Sequence, residues 1–128
     1  AMLAARAVAY SRAGASGIYF TGLIDRLGIA AEVNARAVVI PMGFTGEKVA
    51  SGEADLAIQQ VSELMSVPGV DVAGPFPDEI QTVSTFDAAI FADAANPEGA
   101  AAFLALLASP AAAKAYADGG LVSRLGRS

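Results

Sequence analysis

Two rhythms of apolar residues alternate along the first half of the chain. Ala7-Val8-Ala9-Tyr10 is a short continuous run and predicts a buried strand. A loop of small residues follows, Ser11-Arg12-Ala13-Gly14-Ala15-Ser16-Gly17. Phe20, Leu23, Ile24 and Leu27 then recur at the i, i+3, i+4, i+7 spacing of one helix face, and Gly28 is placed to end that helix. Ala30-Ala31-Glu32-Val33-Asn34 reads as a polar connection. Residues 35–40 are β-branched and stopped by Pro41, which predicts a second strand. Thr45 is placed to cap a short helix, Gly52 to stop it, and residues 56–60 to form a third strand. Ser62-Glu63-Leu64 falls in no predicted element.

Strand, helix, strand, helix, strand is the order of βαβ units with right-handed crossovers. It predicts an α/β fold, a mainly parallel sheet with helices on both faces. The second half differs. Residues 70–73 and, at greater length, 82–92 carry strand composition, and two helices close the chain. Asn96, Pro97 and Glu98 form a capped start, and Ser109-Pro110 repeats the device. Phe103, Leu104 and Leu107 are the predicted apolar face of the first, Tyr116 is placed to dock the second, and Gly119-Gly120 ends it.

Composition narrows the function classes. A chain of 128 residues with 55% hydrophobic residues is long enough for a core, although much of that fraction is alanine. No apolar run approaches the roughly 20 residues of a membrane span. A net charge of −5 argues against a nucleic-acid partner. Cysteine and histidine are both absent, which removes thiol chemistry, the commonest general base and the commonest transition-metal ligand. No cofactor and no metal are expected. The first residues lack a basic segment followed by a long apolar core, so they do not read as a signal peptide.

The candidate chemistry lies where the first strand turns into its helix. Ser and Gly at such a turn aim unpaired backbone N–H groups at one point, and the helix dipole adds positive potential there, so an anion is held without any basic side chain. Tight packing of strand on helix needs the same small residues. Ser11 serves either a ligand or the turn, and Ser16 and Gly17 either a ligand or the helix start. Arg12 either neutralises a ligand or is simply solvated. Gln59 and Gln60 alternate in direction, one facing a cleft and the other free to hold a loop. Glu63 repels an anion unless it points away. Asp55, Tyr10 and Tyr19 read as structural, and Asp78, Glu79 and Asp87 as a solvated face.

The runs Ala9-Tyr10-Ser11, Ala15-Ser16-Gly17-Ile18-Tyr19 and Val49-Ala50-Ser51-Gly52-Glu53-Ala54-Asp55, with Asn96-Pro97-Glu98-Gly99-Ala100 and Ser109-Pro110-Ala111-Ala112 after them, resemble the molybdate-type periplasmic substrate-binding proteins of ABC transporters. The resemblance implies one lobe of a type II periplasmic binding protein fold over residues 1–81. Residues 82–128 would be the return crossing and C-terminal helices, which in the family belong to the other lobe. It implies a periplasmic location, a small oxyanion of the molybdate or tungstate class as ligand, and the transporter's membrane component as partner. By position it assigns the ligand to Ser16, Gly17, Met42, Gly43 and Gln60, and Ser11 joins these candidates from its own place in the turn. Gln60 stands where the family often has a tyrosine, so its amide would replace a phenol as donor. A lobe with an uncovered tail is expected to pair as a swapped homodimer.

The resulting expectation is a solute-binding component and not an enzyme. One alternative is a stand-alone ligand-sensing or interaction domain. Another is an enzyme on the same α/β lobe, which would have to use Ser, Lys, Tyr or carboxylates.

Overall fold

The computed structural model describes residues 1–125, which divide into two compact units, Ala1–Thr82 and a second beginning at Val83. The first unit is built on β1 (Val8–Ser11), β2 (Ala37–Ile40) and β3 (Leu56–Ala57). All pair in parallel in the order β2-β1-β3, with Val8 opposite both Ala37 and Leu56. β1 is therefore the central strand, and all four of its residues are buried.

The alternation of β1 decides what covers each face. Val8 and Tyr10 point to one side, into a core with Phe20, Ile24 and Val33. That side is covered by α1 (Ala15–Arg26) and α2 (Ala30–Asn34). Ala7 and Ala9 point to the other, where small side chains let Ala54 and Val49 approach the sheet beside Ala57 of β3. Val49 lies in α3 (Gly46–Ala50). The fold is thus α/β with a parallel sheet and helices on both faces. Phe20 is the centre of the larger core: it is fully buried, meets Tyr10 edge-on at 5.2 Å and stacks on Phe76 at 6.5 Å. The Tyr10 hydroxyl leaves this core to donate to Asn34 Oδ1 at 2.8 Å.

Several predicted elements differ in the structure. Residues 30–34 are the helix α2 and not a polar connection, because Val33 is buried against the core and draws the segment into register. Leu27 lies one residue past the end of α1 and is 45% exposed, so the apolar face closes at Ile24. The third strand spans only Leu56–Ala57. Residues 61–65, which carried no prediction, form α4 (Val61–Met65). Residues 70–73 are irregular. Phe76 docks that stretch on Phe20, and the Tyr19 hydroxyl donates to the Ile80 carbonyl. Residues 82–92 are irregular too, although rich in strand formers: no strand pairs with them among the described residues, and a ladder needs a neighbour.

The second unit holds α5 (Pro97–Leu107) and α6 (Pro110–Asp118). Their starts follow the sequence. Asn96 Oδ1 accepts from Gly99 N at 2.8 Å and Ser109 Oγ from Ala112 N at 3.2 Å. The Tyr116 hydroxyl ties the pair together by donating to the Leu107 carbonyl at 3.0 Å. Many of its large apolar side chains are exposed, Phe86, Phe91 and Phe103 among them. No single helix among the described residues is long and apolar enough to cross a membrane.

Candidate functional site

Parallel strands bring their carboxyl ends to one side of the sheet, and three loops meet there. β1 ends at Ser11 and turns through residues 12–14 into α1. β2 ends at Ile40 and turns through Pro41, Met42 and Gly43. The segment after β3 runs through Gln59 and Gln60 into α4. Between them lies a cavity of about 290 Å³. This is the side on which open α/β sheets place their ligands.

The first wall is the start of α1. Gly14 is its N-cap and supplies no side-chain bond, and the N–H groups of Ala15, Ser16 and Gly17 have no upstream carbonyl partner. Beneath them sits Ser11. It is 4% exposed, and its Oγ is the one buried side-chain polar atom without a hydrogen-bond partner among the described residues. The glycines on either side of it explain how it fits. A Cβ at Gly14 or at Gly17 would lie 2.7 Å from Ser11 Oγ, and one at Gly17 would also lie 1.7 Å from the Ser11 carbonyl oxygen. The loop composition thus lets the helix start close directly over the serine hydroxyl.

The second and third walls are locked to each other by Gln59. Its Oε1 accepts from Thr45 N at 2.8 Å, and its Nε2 donates to the Gly43 carbonyl at 3.1 Å. Thr45 Oγ1 lies 3.0 Å from Gln59 Oε1 and 3.3 Å from the Ile58 carbonyl, the two acceptors open to its single proton. Thr45 therefore occupies the predicted cap position of α3 but turns its hydroxyl to the third loop and not to the helix. Gly43 adopts φ +92°, a turn that a side chain would strain. Gln60 is the N-cap of α4, and its backbone N–H donates to Glu63 Oε2 at 3.4 Å. Among the described lining residues Glu63 is the only carboxylate.

The six residues named from the sequence fall into two groups. Ser11, Ser16, Met42, Gly43 and Gln60 line this one cavity, with Met42 highly exposed at the rim. Gly17 lies outside the lining, buried against the Ser11 carbonyl. Arg12 is exposed and also lies outside it. Glu63 also lines the cavity, and its carboxylate accepts from Gln60 N. The pattern Gln60-x-x-Glu63 is a helix-start signature that could have placed α4 and, with it, this carboxylate. No group of His, Cys, Asp and Glu among the described residues could hold a metal ion. Away from the cavity, hydrogen bonds from Lys48 Nζ, first, and from the Ser51 hydroxyl hold the Glu53 carboxyl below its ordinary range.

A protein from Pseudomonas sp named "Aconitate isomerase" is 42% identical over 118 residues, which are 91% of this chain and 45% of that protein. The chain thus spans less than half the length of this curated relative. No solved structure gives a significant match. The expectation of a protein that is not an enzyme is corrected by this relative, whose name is that of an enzyme. The physical reason for the error is plain. Lack of histidine and cysteine removes two kinds of catalyst, but carboxylates remain a class of general acid and base. The resemblance to binding proteins holds at the family level without specifying molybdate: residues 3–122 match the family described as bacterial extracellular solute-binding protein, and the chain belongs to that family.

Proposed function

We propose that the cavity at the carboxyl ends of β1 and β2 binds a small polycarboxylate anion, and that this chain serves its isomerisation. The observation that carries the reading is Ser11 Oγ, a buried hydroxyl without a protein partner beneath the unpaired N–H groups of α1. A buried polar group left unsatisfied costs about 1–3 kcal/mol, which a ligand acceptor would recover. A helix N-terminus adds about 0.3–1 kcal/mol of attraction for a negative group. The named relative supplies the ligand class, since aconitate is a tricarboxylate.

A tetrahedral oxyanion of the molybdate class is the second reading, favoured by the neutral donors at the start of α1. In either case the family setting makes a small solute and a transporter membrane component the natural partners, with the periplasm as the site of action. A second copy of the chain is the proposed cover for Phe86, Phe91 and Phe103, whose exposed rings favour self-association.

Thermal denaturation with aconitate, citrate, succinate, sulfate, molybdate and tungstate tests the choice. A ligand that binds only the folded chain raises Tm by mass action, by about 2.7 kcal/mol of stability at a hundredfold excess over Kd. A rise with the polycarboxylates supports the first reading. A rise with molybdate or tungstate alone supports the second.

A further inference from the structure

An anion site gains nothing in affinity from a carboxylate in its wall, because a like charge disfavours the bound anion. Glu63 stands in that wall and has no cationic partner among the described residues, whereas Asp55 pairs with Arg6 and Glu53 with Lys48. Its attachment is a single long bond, Oε2 accepting from Gln60 N at 3.4 Å, which fixes the carboxylate on the first turn of α4. The other carboxylates, the tyrosines and the lysines lie outside the lining of this cavity. The hydroxyls of Tyr10, Tyr19 and Tyr116 donate to Asn34, Ile80 and Leu107, and Lys114 pairs with Asp118. Histidine and cysteine do not occur in the chain.

We propose that Glu63 is the proton acceptor of this site, taking a proton from a carbon next to one of the ligand's carboxylates. The inference rests on the reading of the cavity as a polycarboxylate site. With one ligand carboxylate seated on Ser11 Oγ and the N–H groups of Ala15 and Ser16, the neighbouring carbon is offered to the rest of the cavity, where Glu63 is the only carboxylate among the described lining residues. The C–H bond breaks, its proton passes to a Glu63 carboxylate oxygen, and its electron pair delocalises into the adjacent carboxylate as an enolate. The donors at the start of α1 face the charge that develops there, the arrangement that stabilises such a transition state. The proton held by Glu63 exchanges with solvent, and return of a proton from Glu63 to the far end of the allylic system shifts the double bond. The sum is an isomerisation, with no oxidant, reductant or water consumed.

The test follows carbon-bound hydrogen of aconitate by proton NMR in D2O with this chain, with Glu63→Gln and with Glu63→Asp. Glutamine preserves the capping pattern of α4, so the variant keeps its fold, which its own melt verifies. The expected result is exchange of the C–H next to a carboxylate by the native chain, a loss of at least about 100-fold in Glu63→Gln, and partial activity in Glu63→Asp. Aconitate binding, read separately by thermal shift, is expected to be unchanged or tighter in Glu63→Gln. Exchange at the native rate in Glu63→Gln overturns the proposal, as does binding without exchange by the native chain. Failure of the native chain to bind any polycarboxylate overturns the reading of the cavity itself, and this inference with it.

Discussion

Replacing Ser11 by alanine separates a ligand-binding serine from a structural one, because the two roles predict opposite signs for stability. Ser11 is 4% exposed, and its Oγ has no hydrogen-bond partner among the described residues. Burial strips water from that hydroxyl at a cost of about 1–3 kcal/mol with no bond in return. Ser11→Ala removes one atom, keeps the Cβ that packs beneath Gly14 and Gly17, and leaves a small void whose cost offsets part of the gain. The net expectation is a stabilisation of about 1 kcal/mol, which for a unit of this size raises Tm by about 4–8 °C. Binding should move the other way. A hydrogen bond to a charged group is worth about 1.5–3 kcal/mol, so aconitate affinity should fall by about 10- to 100-fold. Thermal melts with and without aconitate read both effects in one experiment. A lower Tm for Ser11→Ala in the absence of ligand would refute the reasoning, since it would mean that the hydroxyl has a structural partner.

Three further perturbations address the frame around the cavity. Gly17→Ala should destabilise by about 3 kcal/mol or more, because the new Cβ falls 1.7 Å from the Ser11 carbonyl oxygen and helix must part from strand; urea denaturation measures it. Gln59→Leu should cost about 1–3 kcal/mol by leaving the buried Thr45 N–H unpaired, and should weaken anion binding by freeing the turn at Gly43; the same denaturation and a ligand titration measure both. Lys48→Met should move the Glu53 titration upward toward the ordinary carboxylate range, as followed by carboxyl carbon NMR. A depressed carboxyl pKa contributes stability above the unfolded value and loses it as pH falls through the folded one, so the variant should show a flatter acid limb.

The local devices of this fold were legible in the sequence. β1, its loop and α1 lie within one short stretch whose apolar spacing changes from continuous to helical, and Asn96-Pro97 and Ser109-Pro110 announce helix starts through side chains that do cap. The elements that escaped are the ones fixed by tertiary contacts. α2 and α4 are five residues each, too short to display a period, and α2 is set by the burial of Val33. Residues 82–92 show the converse: strand composition without a neighbouring strand among the described residues makes no ladder. At the site, the turn after β1 pointed to Ser11 and Ser16 and the family resemblance to Met42, Gly43 and Gln60, and these line one cavity because all follow the carboxyl ends of parallel strands. The sequence could not separate Gly17, a residue of close approach, from its lining neighbours. Nor could it show which way Glu63 points, which depends on where α4 begins.

The central claim is that the loops after β1, β2 and β3 hold a carboxylate anion. An amide-resolved NMR titration of this chain with aconitate tests it most directly. The largest shifts are expected at the N–H groups of Ala15 and Ser16, with smaller ones at Gly43 and Gln60, and with loss of saturation at the same concentration in Ser11→Ala. Shifts confined to residues outside these loops, or none at concentrations where a polycarboxylate raises Tm, would contradict it.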